Sequence, residues 1–69
     1  MQTFEVGDMV VLETPYTVDK DIGIHAGDVG CVTSIRSKAT YAQDQVVNLK
    51  FWAALEHEYG YSAWRLKPL

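Results

Sequence analysis

Gln45-Val46-Val47-Asn48-Leu49-Lys50-Phe51-Trp52 is the stretch that decides how this chain folds. Val47, Leu49 and Phe51 fall on one side of an extended chain, and Val46, Asn48, Lys50 and Trp52 on the other. This period of two marks a half-buried strand. Phe51 is therefore expected in the core beside Val47 and Leu49, and Trp52 on the opposite face.

From its last residue on, Trp52-Ala53-Ala54-Leu55-Glu56-His57-Glu58 favours a helical turn by propensity, but Gly60 follows at once, so a loop or a single turn is expected. Residues 61–69 read as a tight turn and a short last strand, with Pro68 confined to the sheet edge. Upstream, residues 36–44 are polar and predict an exposed hairpin loop. Before them Ala26-Gly27-Asp28-Val29-Gly30-Cys31-Val32-Thr33-Ser34-Ile35 is a glycine-aspartate turn followed by β-branched residues. Gly30 inside that strand is expected to mark a bulge or a sharp bend. Val6-Gly7-Asp8-Met9-Val10-Val11-Leu12 repeats the plan, with Val10 and Leu12 pointing inward. Residues 13–28 are punctuated by Pro15, Gly23 and Gly27 and lack helical periodicity, which predicts a long loop with extended arms. Tyr16, Val18, Ile22 and Ile24 keep an apolar face there that should fold back on the body. No period repeats along the chain.

The 69 residues bound the answer to one domain, residues 1–69. A hydrophobic share of 48%, with 12% aromatic, exceeds that of chains that stay disordered. Cys31 stands alone and cannot close an internal disulfide, so packing must hold the fold. No apolar stretch approaches a membrane span, and the first residues lack the basic start and apolar run of a secretory signal. These features lead us to expect a soluble protein of a reducing, cytoplasmic compartment with no membrane partner.

Five short strands, a long connection between the first two and glycine-aspartate pairs at strand starts describe a small bent antiparallel barrel. The chain resembles a stand-alone SH3-like barrel. The likeness rests on Val6-Gly7-Asp8-Met9-Val10, Ala26-Gly27-Asp28-Val29-Gly30-Cys31-Val32, Val47-Asn48-Leu49-Lys50-Phe51 and Gly60-Tyr61-Ser62-Ala63-Trp64-Arg65-Leu66. It implies an all-β fold: a five-stranded SH3-like barrel with a long first loop and a short turn of 3-10 helix before the last strand. The second block is also similar to half of a KOW motif. The tyrosine-rich motif of peptide-binding SH3 domains is absent, with Tyr16 alone in its place. In length and strand plan the chain is similar to small SH3-like accessory subunits of photosynthetic electron-transfer complexes. A stand-alone chain this short is expected from either a cellular accessory gene or a mobile element such as a phage.

The likeness implies that the long loop and the region after the third strand come together. That would place Tyr16, Trp52, Tyr59 and Tyr61 in one aromatic patch, flanked by the acidic Asp19 and Asp21. These six residues form the expected protein-binding set. Asp19-Lys20-Asp21-Ile22-Gly23 is only a fragment of a calcium loop, and His25, Cys31 and His57 lack zinc-ligand spacing, so no metal or cofactor is expected. Cys31 reads as an inert buried thiol. No acid/base pair, catalytic triad or phosphate loop is visible, which argues against an enzyme. The expected function is a small protein-interaction module acting as adaptor, accessory subunit or inhibitor. The alternative is a KOW-like nucleic-acid or ribonucleoprotein binder using Arg36, Lys38, Lys50, Arg65 and Lys67, against which the net charge of −3 works.

Overall fold

A computed structural model describes residues 2–69. The strands are β1 (Met9–Leu12), β2 (Val29–Ser37), β3 (Val46–Phe51), β4 (Ala54–Ser62) and β5 (Leu66–Pro68). They form one antiparallel sheet in the order β4-β3-β2-β1-β5. The sheet is open: β4 and β5 are its edges, and no ladder joins them. A turn of 3-10 helix, Ala63–Arg65, precedes β5.

The alternation read in the sequence sets the inner face. Val47, Leu49 and Phe51 of β3 are fully buried, as are Val10 and Leu12 of β1. Phe51 meets Tyr61 of β4 edge to face, with ring centroids 5.3 Å apart. Phe4 is drawn into the same core by Gln45, whose buried side-chain amide accepts from the Phe4 N–H (2.8 Å) and donates to the Phe4 carbonyl (2.9 Å).

Three local expectations need correction. Gly30 is not a bulge; it pairs regularly with both Val10 and Phe51. A Cβ there would lie 2.7 Å from Leu49 Cδ1 and 2.9 Å from the Lys50 carbonyl oxygen, so a bare backbone is what lets β3 approach. The β2–β3 register shifts fall instead around Thr33 and Arg36, each an extra residue on β2, and they curl the sheet. Gly30→Ala should therefore cost about 1–3 kcal/mol, the usual penalty of overpacking. Thermal denaturation checks this, and a variant as stable as its parent would mean that the strands have room to spare.

Residues 54–58 are neither a loop nor a helical turn. The chain reverses at Trp52 and Ala53 and enters β4, whose Ala54 pairs with Phe51. Between the Phe51–Ala54 and Leu49–Tyr59 pairs β4 carries residues 55–58 against Lys50 alone, a wide bulge that absorbs the helix-favouring run. Residues 13–28 are not wholly irregular either, because they contain the helical turn α1 (Thr17–Asp21).

The two glycine-aspartate turns read in the sequence, twenty residues apart, share one geometry. Asp8 N–H donates to the Glu5 carbonyl and Asp28 N–H to the His25 carbonyl (3.0 and 3.1 Å), with φ of +94° and +93° at Gly7 and Gly27. That is the type II geometry, which glycine adopts without strain. Each aspartate also accepts from the amide three residues back, Asp8 from Glu5 and Asp28 from His25, both at 2.8 Å. The turns dock reciprocally. Gly7 N–H donates to the Val32 carbonyl and Val32 N–H to the Asp8 carbonyl, while Gly27 N–H donates to Leu12 and Leu12 N–H to Asp28. A local two-fold thus relates the β1 and β2 entries.

Candidate functional site

Asp19 organises the long connection. Its carboxylate accepts the Tyr16 N–H (2.6 Å), which caps the first turn of α1, and it also accepts the Tyr61 hydroxyl and the Arg65 guanidinium. Its carbonyl accepts the Ile24 N–H at 2.8 Å, which seats Ile24 in the core. Arg65 closes the arrangement from the 3-10 turn. Its Nε donates to the Thr14 carbonyl (3.0 Å), and its guanidinium lies 3.8 Å from the Tyr16 ring centre and 4.4 Å from that of Tyr61. The Arg65–Asp19 ion pair is buried, with both side chains under a tenth exposed. Burial foremost, and then the bond to Asp19, push the Tyr61 phenol well above its ordinary range, so it stays a donor at physiological pH.

Above this buried base stand two aromatic rings that face solvent. Tyr16 is 47% exposed and Trp64 is 52% exposed. Their centroids are 6.2 Å apart and their planes tilted by 55°, an open V. Trp64 is fixed by its backbone N–H, which donates to the Asp44 carboxylate (2.7 Å) from the β2–β3 loop. Val18 and Ile22 on and just after α1 are exposed too.

The expected six-residue set does not assemble as one surface. Tyr16 and Asp21 are exposed, as expected. Asp19 and Tyr61 are corrected from contact residues to buried ones: they bond each other beneath Tyr16, and Tyr61 belongs to the core. Tyr59 is half-buried against the core, its ring 6.2 Å from that of His57. Trp52 is exposed, but it sits at the β3–β4 turn, whereas Trp64 follows the far end of β4, where Ser62 pairs with Val46. One hairpin length separates them, and the partner of Tyr16 is Trp64.

Arg65 also leaves the expected cationic edge, because it is buried. Arg36, Lys38, Lys50 and Lys67 are exposed, and Arg36 lays its guanidinium across Gly60. Cys31 is half-buried on β2, not enclosed as expected. Among the described residues no three His, Cys, Asp or Glu side chains gather as a metal-ligand set, and no helix is long and apolar enough to cross a membrane. Comparison with protein-family models, curated proteins and solved structures finds no match.

Proposed function

We propose that this chain is a small protein-interaction module, acting as an adaptor, accessory subunit or inhibitor, whose contact face is the Tyr16–Trp64 pair. The observation that carries the reading is the mounting of that pair. Tyr16 is held half-exposed on a buried Arg65–Asp19–Tyr61 base with the half-exposed Trp64 ring tilted beside it, so the Tyr16 side chain has little freedom left to lose when a partner arrives. Exposed, rigid Trp and Tyr side chains are the residue types that dominate binding energy at protein interfaces. Val18 and Ile22, on and just after the helical turn that Tyr16 precedes, are exposed apolar side chains as well. The strand order, the long β1–β2 connection and the 3-10 turn before β5 support an SH3-like barrel as the scaffold.

Trp64→Ala should weaken capture of the cellular partner roughly 30-fold or more, the loss typical of an aromatic hot spot, with the melting temperature nearly unchanged. Trp52→Ala, at the other end of the hairpin, should leave capture intact. Quantitative mass spectrometry of proteins retained by the immobilised parent and the two variants reads the outcome. Loss on Trp52→Ala and not on Trp64→Ala would move the contact to the hairpin tip.

A further inference from the structure

The charges are not spread evenly. Residues 2–28 carry Glu5, Asp8, Glu13, Asp19, Asp21 and Asp28 against Lys20 alone, whereas Arg36, Lys38, Lys50, Arg65 and Lys67 all come later. Asp19 and Arg65 neutralise each other inside the protein. In the segments that carry and flank the aromatic V, Glu13 and Asp21 are exposed and Asp44 is half-buried. Glu13 adjoins the 3-10 turn through its N–H to the Arg65 carbonyl (2.8 Å), Asp21 ends α1, and Asp44 holds the Trp64 amide (2.7 Å). Lys20 is the one cation on α1.

The two rings differ in what already occupies them. The Tyr16 ring has the Arg65 guanidinium stacked on it, but among the described residues no cation of the chain stacks on Trp64. An exposed indole with a carboxylate nearby that no cation neutralises is an arrangement that attracts an ammonium or guanidinium group, and tryptophan is the strongest such ring. The buried Arg65 does not repel an incoming cation, because Asp19 cancels its charge at contact distance.

Resting on the contact face assigned above, we infer that its partner presents a lysine- or arginine-bearing segment, with one cation over Trp64 and further positive charge beside Glu13, Asp21 and Asp44. Such a contact combines an aromatic anchor with long-range attraction. Association should therefore be fast at low salt and slow down as salt rises.

Trp52→Phe leaves Trp64 as the sole indole and makes its fluorescence a direct reporter. Three synthetic peptides of equal length and common apolar residues serve as probes, one bearing lysine and arginine, one glutamate and one serine. The cationic peptide should bind and the glutamate peptide should not, with the serine peptide far weaker than the cationic one. Glu13→Gln and Asp21→Asn should each weaken the cationic peptide roughly two- to fivefold, the size of an exposed charge contact. Glutamate or serine peptides binding as tightly as the cationic one would overturn the charge assignment and leave the contact face standing. No fluorescence response to any of the three would overturn it as well. The contact face itself falls on a different result, retention of the cellular partner by Trp64→Ala.

Discussion

Arg65→Met should lower the unfolding free energy by about 3–5 kcal/mol, because it leaves the Asp19 carboxylate buried without its cation. At roughly 0.05–0.15 kcal/mol per residue a domain of this size has about 3–10 kcal/mol to lose, so urea denaturation should show a large fall in midpoint. The damage should not stay local. Asp19 caps α1 at Tyr16 and holds the Tyr61 hydroxyl, while Arg65 stacks on both rings. The long connection should loosen, and partner capture should fall with it. Adding Asp19→Asn to Arg65→Met removes the stranded charge and keeps an acceptor for the Tyr16 N–H, so the double variant should be more stable than Arg65→Met alone. A double variant that is less stable than the single one would show that desolvation of Asp19 is not what the ion pair offsets.

Leu49→Ala should cost about 2–5 kcal/mol, the range for emptying a fully buried leucine site. Leu49 lies between the Val32 and Tyr59 positions of its neighbouring strands, fully buried on the inner face of the sheet. Lys50, the next residue, faces outward and is exposed, and Lys50→Ala should change stability by less than about 0.5 kcal/mol. Equal melting of the two variants would contradict the β3 register. Gly30 makes the Leu49 site sensitive to shape as well as size, because the leucine side chain occupies the space a β2 side chain would have taken.

β3 was legible because its pattern depends on nothing but alternation, and β1 followed for the same reason through Val10 and Leu12. The segment after Trp52 was not. Ala-Ala-Leu-Glu-His-Glu has helical propensity, and only pairing with β3 forces it into an extended, bulged path. α1 was missed because its cap is Asp19, whose carboxylate is held in place by Arg65, 46 residues away in sequence. The same distance hid the site. Nothing in the spacing of Asp19, Tyr61 and Arg65 announces that they are one buried unit, so two of them read as surface residues and the third as part of a basic edge. The pairing of Trp64 with Tyr16 appears only once the 3-10 turn is folded against the long connection.

The local two-fold at the β1 and β2 entries governs how this ladder comes apart. A pair of strands ordinarily frays from its ends, where the last residues are held from one side only. Here the final amides at each end, Gly7 with Val32 and Gly27 with Leu12, are tied to the opposite strand's turn, and each turn is braced by its own aspartate. Unzipping from either end must dismantle a turn before it frees a strand residue. Fraying at either end of this pair therefore costs a turn as well as a ladder bond, which makes local opening more expensive here than at an unbraced strand end.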